Sequence, residues 1–166
     1  DAKEVIPDLM EAVRQDEYGY DQARALCRMG NAGLLALCEL LGDEEAHVRR
    51  AAAAAFWEAG DGLGPASAAL IRAMKDDDTN VRYNLAPLLY KLGPDAIPAM
   101  VESLIDAESS VRGGSAAPLG KLGLAAQEAI PALNRLLEDK NPFVRACACE
   151  ALQRIDPKQS AQAGVK

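Results

Sequence analysis

Aromatic side chains, histidine and long apolar runs are scarce in this sequence of 166 residues. Aromatic residues make up 4% of the chain although 49% of it is apolar, and it has one histidine. An apolar fraction supplied mainly by alanine and leucine favours helices over sheets. No apolar run approaches the ~18 residues that a membrane-spanning helix needs. The sequence therefore predicts an all-α fold with no membrane partner.

Sequence signatures of catalysis and metal binding are also missing. The single histidine, His47, has no serine or cysteine nucleophile signature near it. There is no G-x-x-x-x-G-K-[ST] motif and no G-x-G-x-x-G motif after a strand. Cys27, Cys38, Cys147 and Cys149 form no C-x-x-C pair, which argues against a zinc site. We therefore expect no enzymatic activity, no metal and no cofactor, and we expect reduced thiols, either core-packed or neutral, in a cytoplasmic protein.

Positive charge is in the minority, with 18 Lys and Arg against 25 Asp and Glu and a net charge of -7. Proteins that bind the phosphate backbone of nucleic acids obtain most of their affinity from Lys and Arg. The negative net charge therefore argues against a general nucleic-acid binder, but it is compatible with a local basic surface.

The sequence does contain an internal repeat. Four segments share an acidic turn, a short gap, Val-Arg, a small-residue stretch and usually a glycine, and a degenerate first copy runs from Tyr18 to Gly30. We take Tyr18 as the counterpart of the repeated valines. The successive positions Tyr18, Val48, Val81, Val111 and Val144 are then 30, 33, 30 and 33 residues apart. Repeats of this length are typical of helical arrays.

Each unit is predicted to form two helices. The first carries apolar residues at helical spacing, as at Ile97, Met100 and Leu104. The second begins near Val-Arg, ends at glycine, and has an apolar stripe at 0, +4, +8 and +11 from the valine. Prolines at 7, 98 and 131 should lie early in first helices, and those at 87 and 118 should kink or interrupt second helices. We expect one domain, 1–156, with units near 3–30, 31–60, 61–93, 94–123 and 124–156, and a flexible tail at 157–166.

These units resemble HEAT repeats of the short kind also found in the phycobilisome lyase family. The matching features are the acidic turn, Val-Arg, the alanine-rich second helix, the glycine stop, and Ala129–Leu133 (AIPAL) with its counterpart 96–100 (AIPAM). The resemblance implies a right-handed α-solenoid of about five helix pairs whose second helices line a concave face. It also implies a structural ladder in which Asp and Arg pair between neighbouring units, formed here by Asp43, Arg49, Asp76, Arg82, Asp106, Arg112, Asp139 and Arg145.

Helix geometry places positions +2, +6, +9 and +10 of each second helix opposite its buried stripe. Six cations and two anions occupy these positions, together with most of the few aromatic residues. Tyrosine and tryptophan combine apolar area with a hydrogen-bonding tip, which suits them to binding surfaces. We expect an aromatic and basic face that binds an acidic peptide or protein segment, formed by Tyr20, Arg24, Arg50, Trp57, Tyr83, Asn84, Tyr90, Lys91, Gly113 and Lys121. The alternative is that the aromatic rings pack between adjacent helices.

The fourth unit is unusual because Gly113, Gly114 and Gly120 remove side chains from a second helix. One interpretation is a depression that admits a bulky group of a partner, and the other is loose packing in a drifted repeat.

Three further functions stay open beside a protein-binding scaffold. They are nucleic-acid recognition as in HEAT-like DNA glycosylases, a bilin lyase or chromophore-handling subunit, and a structural segment of a longer repeat array. The last is suggested by Cys147 and Ala151, which are poor choices for a final helix that faces solvent.

Overall fold

The computed structural model describes residues 2–157, which contain ten α-helices and no strand. The helices form five consecutive pairs, so the predicted all-α fold of about five helix pairs is confirmed. The predicted flexible tail lies outside the described residues except for Pro157. The helices are α1 (Ala2–Gln15), α2 (Tyr20–Cys27), α3 (Asn31–Leu40), α4 (Ala46–Ala55), α5 (Ser67–Ala73), α6 (Thr79–Leu85), α7 (Ile97–Ser103), α8 (Ser109–Leu122), α9 (Ile130–Leu136) and α10 (Pro142–Ile155).

A glycine follows the second helix of each of the first four pairs. Gly30, Gly60, Gly93 and Gly123 have φ between 57° and 75°. This left-handed region costs glycine little because it has no Cβ, and it releases the chain from the helix. The predicted glycine stops are therefore confirmed. Short 3₁₀ segments, Phe56–Ala59 and Ala86–Ala96, extend α4 and α6 toward their glycines.

The prolines follow the prediction at three of five positions. Pro98 and Pro131 lie in the first turns of α7 and α9, and α6 ends at Leu85, just before Pro87. The prediction was wrong for Pro7, because α1 already begins at Ala2 and the proline lies inside it. It was also wrong for Pro118, which is buried inside a continuous α8. There the packing of the ring outweighs the loss of one helical hydrogen bond.

The chain divides into two compact units with the boundary between Leu85 and Ala86. Unit 1 contains α1 to α6, and within it α2 packs against α4 and α4 packs against α6. The second helices of unit 1 are therefore neighbours. Its core contains Leu26, Leu37, Val48, Phe56, Leu70 and Val81.

Unit 2 contains α7 to α10, and the most extensive packing within it joins α8 to α10. The segment Ala86–Ala96 packs against the same helix α8. The core contains Met100, Val111, Leu119, Leu133, Val144 and Ile155. The predicted stripe of the second helices is buried at the valines and at +4, whereas three of its +11 residues, Ala59, Leu92 and Leu122, are half-buried.

The first repeat departs from the others in register. The four framework valines are fully buried, whereas Tyr18 is 69% exposed. The equivalence of Tyr18 with these valines was wrong, because α2 begins only at Tyr20 and buries Gly19 and Ala23. The shorter turn before α2 shifts which residues face the core.

A buried hydroxyl in α8 provides a test of the core. Within residues 2–157, the buried Oγ of Ser115 has no hydrogen-bond partner, at a position where α4 and α10 bury Ala52 and Ala148. We expect Ser115→Ala to raise the free energy of unfolding by ~1 kcal/mol, because an unpaired buried polar group is removed. Urea denaturation measures the change. The control is Ser103→Ala, which should lose stability because the Oγ of Ser103 donates to the carbonyl oxygen of Ala99 at 2.7 Å. A loss of stability in Ser115→Ala would contradict the prediction.

Candidate functional site

An aspartate shapes the turn between the two helices of every pair. One oxygen of its carboxylate accepts a hydrogen bond, 2.8–3.1 Å long, from the backbone N–H two residues later. This Asx turn fixes the backbone ahead of the second helix. The aspartates are Asp16, Asp43, Asp76, Asp106 and Asp139. Asp16 was missed in the sequence because the degenerate first repeat has no Val-Arg to align it.

The repeated arginine holds the same turn from the second helix. In each case Nη1 donates to the carbonyl oxygens of the turn aspartate and of the residue after it, at 2.7–3.2 Å. The arginines are Arg49, Arg82, Arg112 and Arg145. The recurrence of the Val-Arg pair thus reflects a recurring local hydrogen-bond pattern.

The remaining nitrogens of these arginines can reach the next pair. In unit 1, Arg49 donates from Nε and Nη2 to the carboxylate of Asp76 at 2.8 and 3.1 Å. In unit 2, Arg112 makes the same fork on Asp139 at 2.8 and 3.0 Å, and each of these side chains is 8% exposed. The bond from Arg112 holds the pKa of Asp139 below its usual value. These residues link successive helix pairs and are not presented to a ligand.

Arg14 is a further member of this series that the sequence did not reveal. Its Nε donates to the Asp43 carboxylate at 2.9 Å. Arg14 lies at the end of the first helix α1, so the Val-Arg pattern could not identify it.

We define the second-helix face of unit 1 by exposed or half-buried residues of α2, α4 with its 3₁₀ extension, and α6. They are Tyr20, Arg24, Arg28, Arg50, Trp57, Glu58 and Tyr83. Trp57 and Tyr83 are 52% and 51% exposed, and Tyr20 is also exposed. Packing between helices therefore leaves about half of the Trp57 and Tyr83 surfaces uncovered.

The arginines of this face are paired with carboxylates. Arg24 donates from Nε and Nη2 to Oε1 of Glu58 at 3.0 and 2.8 Å, and Arg28 donates from Nη2 to Oε2 at 3.1 Å. Hydrogen bonds from Arg28 and then Arg24 lower the pKa of Glu58. Arg50 pairs with Asp78 at 2.7 Å. The count of six cations to two anions thus overstated the positive charge, because Asp78 reaches this face from the acidic turn.

The predicted residues of unit 2 have other surroundings. The Nζ of Lys121 lies 4.0 Å from the ring centroid of Tyr90, a cation–π contact. Tyr90 and Lys91 are half-buried. In unit 1, the side-chain amide of Asn84 donates to the carbonyl oxygen of Asn80 in its own helix at 2.8 Å. Its nitrogen is therefore already used within the helix.

The predicted depression in α8 is occupied. A Cβ on Gly113 would overlap the ring of Phe143, and a Cβ on Gly120 would lie 2.8 Å from the Cα of Ala151. These glycines let α10 approach α8 closely. Gly113 and Gly120 therefore line neither a cavity nor a loosely packed region, and both interpretations were wrong at these two positions. Phe143 was missed because its contact with Gly113 spans two helix pairs.

The cysteines are mostly packed. Cys27 and Cys147 are buried and Cys38 is half-buried, and burial raises the pKa of each of these thiols. Cys149 is a free, exposed cysteine. Cys147 and Ala151 are both buried, so they are not the solvent-facing residues that suggested a further repeat.

Residues 2–157 contain neither a candidate metal-binding cluster nor a candidate membrane-spanning helix. Within this range, no three His, Cys, Asp or Glu side chains group as a metal site would require. No helix of the same range combines the length and apolar character needed to span a bilayer.

Solved structures of helical repeat proteins resemble this chain. One is an engineered protein, with 20% identity, a TM-score of 0.64, and coverage of 89% of this chain and 79% of that one. Another is the complex of CpcE and CpcF of phycocyanin lyase from Nostoc sp. PCC7120, with 24% identity, a TM-score of 0.69, and coverage of 84% and 60%. A third is a designed armadillo repeat protein in complex with the peptide (KR)4, with 19% identity, a TM-score of 0.63, and coverage of 89% and 80%. At these identities the likeness shows the fold alone, an all-α solenoid.

Sequence comparison identifies the family directly. No curated protein sequence matches the chain significantly. The sequence model described as HEAT repeats matches residues 34–120 and 97–163, which together cover more than half of the chain. The chain therefore belongs to the HEAT-repeat family.

Proposed function

We propose that the second-helix face of unit 1 binds a peptide or protein segment. The observation that carries the proposal is the exposure of Tyr20, Trp57 and Tyr83 on three neighbouring second helices. The whole chain has one tryptophan, four tyrosines and two phenylalanines. The exposure of such rare residues on neighbouring helices favours a contact role over a packing role.

The physical basis is the apolar area of these rings. Burial of apolar surface contributes roughly 25 cal/mol per Å², and large aromatic side chains supply much of the energy at interfaces. The rings stand on helices held by the packing of α2, α4 and α6. A preorganised surface loses little conformational entropy when a partner binds.

The arginines favour an acidic partner. Arg24 and Arg28 share the carboxylate of Glu58, and the exposed carboxylate of Asp21 lies farther away, 3.9 Å from Arg24, so two guanidinium groups are presented on this face. Charge complementarity at a partly exposed site selects partners of opposite sign. The designed armadillo repeat protein with the peptide (KR)4 shows that a related fold can hold a charged peptide. The nucleic-acid, bilin-lyase and array-segment functions stay predictions.

Peptide selection tests the proposal. We would select binders from a displayed library of random 12-residue peptides and measure their affinity by fluorescence anisotropy of labelled peptide. The double variant Trp57→Ala, Tyr83→Ala is expected to bind the selected peptides at least about tenfold more weakly, a loss of about 1.4 kcal/mol. Enrichment of acidic residues is expected among the binders.

The matched control is Leu35→Ala, which removes an exposed large apolar side chain from the first helix α3. Its affinity should equal that of the wild type. Circular dichroism establishes that every variant is folded. Equal affinity in wild type and double variant, or a library that yields no binder, would overturn the proposal.

A further inference from the structure

We infer that Glu58 occupies an anion-binding position between Arg24 and Arg28 on the second-helix face of unit 1. An acidic group of a bound partner displaces Glu58 from this position. The inference rests on the proposed function and adds the chemistry of recognition. It makes the affinity of the face for acidic segments depend on a residue that does not itself contact the bound anion.

The arginine pair has the geometry of an anion site. Arg24 lies on α2 and Arg28 directly follows the end of that helix, one turn further along, and their guanidinium groups converge on Glu58. Like charges at this spacing repel each other unless an anion lies between them. Guanidinium groups bind carboxylates in such a fork by charge-assisted hydrogen bonds. A carboxylate at this point therefore satisfies both cations, whichever chain supplies it.

Glu58 is exchangeable, in contrast to the neighbouring Asp78. The carboxylate of Asp78 also accepts backbone N–H groups of Asn80 and Val81 and is nearly buried, so it belongs to the turn. Glu58 accepts hydrogen bonds only from the two arginines within the described residues, and all three side chains are partly exposed. Exposed ion pairs are weak because water competes for both partners.

The position of Glu58 in the chain adds a second argument. The equivalent +10 position carries a cation in the three later pairs, at Lys91, Lys121 and Arg154. Glu58 is the one anion of this series and directly follows Trp57, the proposed contact residue. A partner carboxylate that replaces Glu58 would lie on the same face as the exposed indole ring of Trp57, and a partner that carries both acidic and apolar residues fits this site.

The test compares wild type and Glu58→Gln with two defined peptides. One is (DLE)4, which repeats Asp-Leu-Glu, and the other is its neutral counterpart (NLQ)4. Trp57 is the only tryptophan, so its fluorescence reports binding at this face, and anisotropy of labelled peptide checks the result. We expect Glu58→Gln to bind (DLE)4 at least about fivefold more tightly, with a steeper loss of affinity in salt, and to bind (NLQ)4 as the wild type does.

The control is Glu44→Gln, which makes the same charge change at an exposed residue of the turn before α4. It should change the affinity for (DLE)4 less than twofold. An equal gain in both variants would indicate long-range charge alone and overturn the inference. Wild-type binding with no gain or a loss in Glu58→Gln would overturn the inference and leave the proposed function intact. No binding of (DLE)4 by either protein would overturn both the inference and the acidic partner.

Discussion

Replacing Arg112 by alanine is expected to lower the free energy of unfolding by about 3 kcal/mol. Arg112 donates to the carbonyl oxygens of Asp106 and Ala107 and forks onto Asp139, and its side chain is almost buried. Its removal takes this donor from two turn carbonyls and leaves the buried carboxylate of Asp139 with the backbone N–H of Asn141 in place of three donors. Urea denaturation, with circular dichroism as the signal, measures the loss.

Arg145→Ala is the matched control for this prediction. Arg145 donates to the carbonyl oxygens of Asp139 and Lys140 in the same way, but it is exposed and forms no carboxylate fork within residues 2–157. We expect it to cost less than about 1 kcal/mol. Equal losses in the two variants would show that the fork on Asp139 contributes nothing beyond the local turn bonds.

The pH dependence of stability gives a second readout of the same pair. The pKa of Asp139 is lowered in the folded protein, chiefly by the bond from Arg112. The folded state therefore gains stability from this group above the unfolded pKa of ~3.9 and loses it as pH falls through the lower folded value. The difference in stability between wild type and Arg112→Ala should accordingly shrink as the pH falls below ~4. A difference that is constant with pH would contradict the assigned role of Asp139.

Gly33→Ala is expected to be the most damaging single substitution, with a loss of about 4 kcal/mol. Gly33 is buried near the start of α3, and a Cβ there would overlap the backbone carbonyl of Leu26 in α2. A backbone carbonyl cannot rotate away as a side chain can, so α2 and α3 would have to separate. The loss should appear as a lower urea midpoint, or as poor folding if unit 1 does not tolerate the change.

Gly64→Ala makes the same chemical change without the clash. A Cβ at Gly64 would meet no atom within 4 Å, and its φ is not positive. We expect no loss and up to ~1 kcal/mol of gain, because alanine restricts the unfolded chain. A Gly33→Ala protein as stable as Gly64→Ala would contradict the close approach of α2 and α3.

Close approach also differs between the two packed glycines of α8. A methyl group on Gly113 would meet the ring of Phe143, which is more than half exposed and can swing away, whereas one on Gly120 would meet the backbone of Ala151. The sequence identified both glycines as unusual. It could not distinguish them, since the distinction depends on what α10 places opposite each one.

The sequence by itself determined the helix pairs, the glycine stops and the buried stripe. These features depend on residues within one turn or one unit: a 3.6-residue apolar period, a glycine able to adopt positive φ, and an aspartate that caps its own turn. The register of the first unit was the exception, because Tyr18 had no Val-Arg to anchor it.

The tertiary structure alone decided the partners of the surface charges and rings. Glu58 meets Arg24 and Arg28, Asp78 meets Arg50, and Phe143 covers Gly113, over separations of about 30 residues along the chain. Local periodicity says which side of a helix a residue occupies, but the stacking of the next helix pair sets which side chains come within hydrogen-bond distance. The ion pairs and ring contacts of the candidate surface therefore depend on packing between repeats, whereas the repeats themselves can be predicted from local sequence patterns.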